Sequence, residues 1–161
     1  MAQEAVPPKG YLLAGMLQDG YDTNTGDYLL YNSLAAMDYF GQIHDIYSKN
    51  HLVPFGEYIP LRQYLPKWIK PLTNMVGQFA KGEKYQTIKL EDYAEFAPLI
   101  CYEVIFSGQI VRKQNKPKWA VVLTNDGWYG ISAGPYQHLV AAQMRAVEEG
   151  ISVVRSANSG I

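Results

Sequence analysis

A strand–helix–strand pattern in the last third of the chain restricts the fold more than any other feature. Lys118–Thr124 is a short β-branched apolar run of the kind that forms a buried strand. Pro135–Glu149 reads as a helix, because Pro135 suits the first helical position and Gly150 the position just past the end. Ile151–Arg155 reads as another strand. Upstream, Glu95–Ile100 reads as a strand ending at Cys101, and Glu103–Gln114 as a helix with Val104, Ile105, Ile110 and Val111 on its apolar face. Strands and helices alternating in this way call for an α/β layer structure. Within the Pro135–Glu149 helix, Tyr136, Leu139, Val140, Met144 and Val147 share one apolar face. Arg145 is placed to pair with Glu149 one turn on.

The first half is strand-like. Tyr11–Leu17, Leu29–Met37 and Gln42–Ser48 read as strands, with a hairpin turn at Phe40–Gly41. Asp19–Asp27, rich in Gly, Asp, Asn and Thr, reads as a turn or loop. Tyr85–Leu90 alternates and reads as a further strand. The prolines at 60, 66 and 71 interrupt any long helix between Tyr58 and Lys81, leaving an irregular apolar arm with short helical turns. Residues 1–10 read as a leader-like segment and 11–161 as one domain, as 161 residues allow.

Composition removes several functions. A net charge of −1 supplies no basic field for nucleic acid or anionic lipid. One cysteine excludes an internal disulfide framework. No apolar run approaches the roughly 18 residues that span a bilayer. Three histidines and one cysteine show no metal-ligand spacing, so neither a metal nor a cofactor is expected.

Three segments carry chemistry. In Ala97–Phe106 a buried strand delivers Cys101 to its carboxyl end, where a helix start would favour a thiolate and a developing oxyanion. Glu103 opposes a nearby thiolate and needs another task, such as orienting a lysine. In Tyr47–Pro60, Lys49 closes a strand and the Pro54–Gly56 turn fixes the backbone ahead of Glu57. A cation aimed from a rigid strand end stabilises a tetrahedral intermediate. His51 is either a base for Cys101 or, the favoured reading, a structural histidine; His44 and His138 sit in ordinary contexts. In Thr124–His138, a loop from a strand end to a helix start brings Asn125, Trp128 and Tyr129 to the edge where α/β sheets bind ligands.

Lys49–Glu57, Cys101–Glu103, Thr124–Gly130, Gly134–His138, Arg145–Glu148 and Val154–Gly160, taken in that order, resemble the nitrilase, or carbon–nitrogen hydrolase, superfamily. Within it they are most similar to the catalytic domains of bacterial apolipoprotein N-acyltransferases. The resemblance implies a nitrilase-like αββα sandwich, incomplete at both ends, with a Glu–Lys–Cys triad. It makes Cys101 and Lys49 the triad cysteine and lysine and Glu57 the supporting glutamate, with Tyr102 and Glu103 beside the nucleophile. The triad's base glutamate has no match in this chain: Glu4 alone precedes Lys49, in a different setting. No turnover is therefore expected from this chain by itself.

The implied partners are a phospholipid acyl donor, a lipoprotein amine as acceptor, and the membrane. The implied location is the inner membrane with the catalytic domain facing the periplasm, this chain by itself being soluble. Trp68, between Lys67 and Lys70 in the apolar arm, resembles an interfacial anchor. The alternatives are an amidase acting on a small amide and a non-catalytic remnant of the same fold.

Overall fold

The structure, a computed structural model, describes residues 6–21, 28–61, 64, 66, 79–83, 86–108 and 116–158. The first sheet is antiparallel. β1 (Tyr11–Tyr21) pairs with β2 (Tyr28–Asp38) from Tyr11 opposite Asp38 to Tyr21 opposite Tyr28. β1 thus continues through Asp19, Gly20 and Tyr21, residues whose composition reads as loop. Partners across the ladder override weak local preference, and the Tyr21 and Tyr28 rings meet edge-to-face at 5.6 Å where the ladder ends. β2 turns into β3 (Ile43–Ser48) through the expected tight turn. Gly41 takes a φ of 82° there, and the Asp38 carboxylate accepts the N–H groups of Phe40 and Gln42.

The second sheet is parallel, in the order β4 (Phe96–Ile100), β5 (Trp119–Thr124), β6 (Ser152–Ala157). Helix α1 (Gly134–Glu149) connects β5 to β6 and ends on Gly150, which adopts the left-handed conformation a helix stop requires. Pro98 is tolerated in β4 because that strand is an edge among the described strands. The two sheets face each other across Leu34, Ala36 and Tyr47 on one side and Phe96, Ile100 and Val121 on the other, with Ile88 and Leu90 filling the same core. The other face of the parallel sheet packs Ala97, Leu99, Ala120 and Val122 against Ala142 of α1. The described layers are therefore helix, sheet, sheet.

Several expectations change. α1 turns Pro135, His138, Ala142 and Arg145 inward, while Tyr136, Val140, Met144 and Val147 are exposed. The small Ala142 lets the helix approach the sheet; of the two inward polar residues, His138 is hydrogen-bonded to Asp126 and Arg145 is ion-paired with Glu148. Arg145 pairs with Glu148 at i,i+3, and Glu149 instead accepts the Gly108 N–H. Of the expected strand Tyr85–Leu90, Tyr85 lies outside the described residues, and residues 86–90 contribute an isolated bridge, Ile88 to Phe96, in place of a strand. The expected helix at Glu103 is a 3₁₀ turn over Cys101–Ile105, ended by extended Phe106; residues 109–114 of that expectation lie outside the described residues. Trp68, Lys67 and Lys70 also lie outside them. The returning end of the apolar arm is described. Phe79 is buried, Ala80 donates to the Leu30 carbonyl, and Gly82 donates to the Lys49 carbonyl. At the other terminus Val6 is buried, so the end of the leader-like segment packs on the domain.

Candidate active site

The carboxyl ends of β3, β4, β5 and β6 open onto one cavity of about 720 Å³, within the usual range for ligand sites. Cys101, Lys49, Glu57, Tyr102, Asn125, Trp128 and Tyr129 all line it, with apolar walls from Leu13, Val53, Ile100, Leu123 and Ala157. Seven of the residues singled out in the sequence therefore meet at one place, and another, Glu103, lies buried behind it.

Cys101 follows β4 directly with a φ of 51°. The left-handed region costs a non-glycine residue roughly 1–2 kcal/mol, so the chain holds this cysteine in a strained elbow between strand and turn. Strain of that kind persists only where surrounding bonds over-determine it, and Glu103 supplies several of them. One of its oxygens accepts the Ile100 N–H at 2.8 Å. The other accepts the Asn50 N–H at 2.7 Å, the His51 N–H at 3.0 Å and the Tyr47 hydroxyl at 2.8 Å. One carboxylate thus ties the residue before Cys101 to the residues after Lys49. Its task is to fix two backbones.

Lys49 is 1% exposed. Its ammonium donates to both Glu57 oxygens, at 2.9 and 2.8 Å. Glu57 also accepts the Val53 N–H at 2.8 Å and the Asn32 amide at 3.3 Å. A buried ammonium without such a partner would be strongly disfavoured, so Glu57 is what allows a charged lysine at the cavity wall. With both oxygens engaged by the cation, Glu57 is poorly disposed to take a proton from a thiol. His51 is not among the cavity-lining residues. Its ring packs on Phe106 with centroids 4.4 Å apart, and burial, against the pull of Glu103 and aided by Lys81, pushes it below the usual histidine range. That favours the structural reading of His51.

A second polar cluster lies under the elbow, and the sequence reading passed over it. Asp126, 1% exposed, accepts from His138 Nδ1 and from the Thr124 hydroxyl, each at 2.8 Å, and from Arg155. Burial pushes its carboxyl up, but the His138 and Thr124 hydrogen bonds and the His138 and Arg155 charges outweigh burial and hold it below the ordinary range. His138 Nε2 lies 3.1 Å from the Cys101 carbonyl oxygen. Asn158 clamps the same region, since its side-chain oxygen accepts the Asp126 N–H and its amide donates to Asn125. The available signal was topological: joining β5 and β6 through α1 sets both strand ends and the first turns of the helix side by side. Among the described residues no group of three or more His, Cys, Asp or Glu is arranged to hold a metal.

The profile of the carbon-nitrogen hydrolase family matches residues 3–161. An apolipoprotein N-acyltransferase of Rhodopseudomonas palustris is 47% identical over 132 residues, covering 81% of this chain and 25% of that protein. One from Brucella suis is 38% identical over 151 residues, covering 93% and 28%. The chain thus spans about a quarter of the length of these relatives. Among solved structures, a carbon-nitrogen hydrolase from Helicobacter pylori superposes with a TM-score of 0.64 at 12% identity, over 97% of this chain and 47% of that one. An amidase from a Nesterenkonia species gives 0.58 at 18%, over 97% and 48%. These likenesses assign the chain the nitrilase fold.

Proposed function

The chain belongs to the carbon-nitrogen hydrolase family, and from that premise we propose that it is the thioester-forming part of an apolipoprotein N-acyltransferase. The observation that supports this best is the meeting of Cys101 with the buried Lys49–Glu57 pair at a largely apolar cavity. In this reading the Cys101 thiolate attacks the carbonyl carbon of a phospholipid acyl ester. Lys49 stabilises the oxyanion that forms, acting as a fixed charge in a site of low dielectric. The C–O bond then breaks, the lysophospholipid oxygen takes a proton, and an acyl thioester remains on Cys101. The α-amine of a lipoprotein cysteine attacks that thioester, forms the amide, and returns the electron pair to sulfur as thiolate.

Glu57 holds the lysine; Trp128 and Tyr129 cover the acyl group, and Asn125 sits at the rim. Glu57 is the only carboxylate among the described cavity-lining residues, so proton transfer to and from the substrates falls to a group outside that set. The complete protein would work at the inner membrane with this domain on the periplasmic side. No helix among the described residues is long and apolar enough to cross a membrane.

The test uses an acyl donor whose leaving group departs as an anion and needs no proton. Incubating the chain with a p-nitrophenyl fatty ester should add one acyl group per chain on Cys101, removable by hydroxylamine, and none in Cys101→Ala. Absence of the adduct in wild type, or an equal adduct in Cys101→Ala, refutes the reading. Hydrolysis of small amides in preference to ester acylation would favour an amidase instead.

A further inference from the structure

We propose that His138 is a positioning residue for the nucleophile, an imidazolium that holds the Cys101 elbow by donating to the Cys101 carbonyl oxygen while anchored on Asp126. This rests on the reading of Cys101 as nucleophile. The argument begins with the two ring nitrogens. Nδ1 faces an Asp126 carboxylate oxygen at 2.8 Å and Nε2 faces the Cys101 carbonyl oxygen at 3.1 Å. Both partners are acceptors. A neutral imidazole has one donor and one acceptor nitrogen, whereas the imidazolium donates from both. A neutral ring would set a lone pair against one of these oxygens in a site where His138 is 4% exposed.

The only other way to satisfy both contacts puts the proton on Asp126. That carboxylate also accepts from Arg155 and the Thr124 hydroxyl, and both of these donors favour its ionised form. The proton therefore stays on the ring. Tyr129 is a further neighbour, its ring centroid 5.8 Å from that of His138. Burial, with the nearby Cys101 and Asp126 charges, pushes Tyr129 above the usual tyrosine range, so it stays neutral beside the cation.

The consequence concerns the elbow. Glu103 holds the N–H of Ile100, on the strand side of Cys101. His138 holds the carbonyl of Cys101 itself. The φ of 51° at Cys101 lies between these two restraints. His138 does not line the cavity, so it acts on catalysis through the backbone of the nucleophile and not through substrate.

Two amide substitutions separate its two contacts. His138→Gln places an amide nitrogen near the position of Nε2 and keeps a donor for the Cys101 carbonyl. His138→Asn places one near Nδ1, keeps the Asp126 contact and loses the carbonyl. Acylation by a p-nitrophenyl ester should slow by roughly tenfold in His138→Asn, the worth of one charge-assisted hydrogen bond, at an unchanged half-saturating ester concentration. His138→Gln should recover most of that loss, with the two melting temperatures similar. In the wild-type chain, ¹⁵N spectra at neutral pH should show both His138 nitrogens protonated, with the Nε2 hydrogen coupled to the Cys101 carbonyl carbon.

Wild-type rates in His138→Asn overturn the proposal. So do equal losses in the two variants that follow their melting temperatures, and so does a neutral ring. If the wild-type chain is not acylated at all, the acyl-transfer reading fails, and the ring spectrum alone decides the hold on the carbonyl.

Discussion

Replacing Glu103 by glutamine tests the most heavily bonded group in the site. The carboxylate accepts four hydrogen bonds, three on one oxygen and one on the other. Glutamine can keep an acceptor for only one side. The cheaper arrangement leaves its oxygen facing Tyr47, Asn50 and His51 and turns its NH₂ toward the Ile100 N–H. A buried N–H left unpaired costs about 1–3 kcal/mol, and each of the other three bonds loses about 1 kcal/mol of charge assistance. Relief from burying a charge offsets part of this, so the net loss is about 3 kcal/mol. For a domain of this size that lowers the melting temperature by about 6–12 °C. Thermal and urea denaturation followed by circular dichroism measure it. Tyr47→Phe provides the contrast, since it removes one donor and leaves three, and should cost only about 1 kcal/mol. A Glu103→Gln melting temperature within about 2 °C of wild type would refute the view that this carboxylate holds the two loops together.

The strained elbow predicts that Cys101→Gly is more stable than Cys101→Ala by about 1 kcal/mol, because only glycine occupies a φ of 51° without penalty; equal urea midpoints would contradict it. Glu57→Ala should destabilise by about 3–5 kcal/mol, as it strands the buried Lys49 ammonium, while Lys49→Met combined with Glu57→Leu should cost less than the single change. Gly82→Ala should cost at least about 1–3 kcal/mol, since a Cβ there would sit 2.1 Å from the Ser48 carbonyl oxygen, a backbone atom that cannot swing aside. Acid should destabilise the chain in two stages. His51, depressed by burial, contributes stability that is full above its unfolded value near 6.5 and is lost as pH falls through its lower folded value. Asp126, also depressed, contributes stability that is full above about 4 and is lost as pH falls through its own lower folded value. Stability measured against pH in His51→Phe and Asp126→Asn should lose the first and second stage respectively, and an unchanged acid limb in either would sink the assignment.

Local patterning determined much of this protein. The β-branched run ending at Thr124, the Pro135 start and Gly150 stop of α1, and the apolar run into Cys101 are short-range signals, and each became the element it predicted. The ordered strings around Lys49, Cys101 and Asn125 likewise marked residues that meet at one cavity, because in such folds strand ends lie together at one edge. Tertiary structure decided what those signals leave open. Asp19–Tyr21 joined a strand because a partner strand was present to pair with them. Pro135, His138, Ala142 and Arg145 took the inward face of α1 although Val140, Met144 and Val147 are the more apolar, because contacts from other elements settled the rotation of the helix. Glu103 and His138 gained their roles from partners 53 and 37 residues away in the chain. Periodicity reports which side chains favour burial. Only the folded chain brings a buried charge to the particular N–H or carbonyl that makes its burial tolerable.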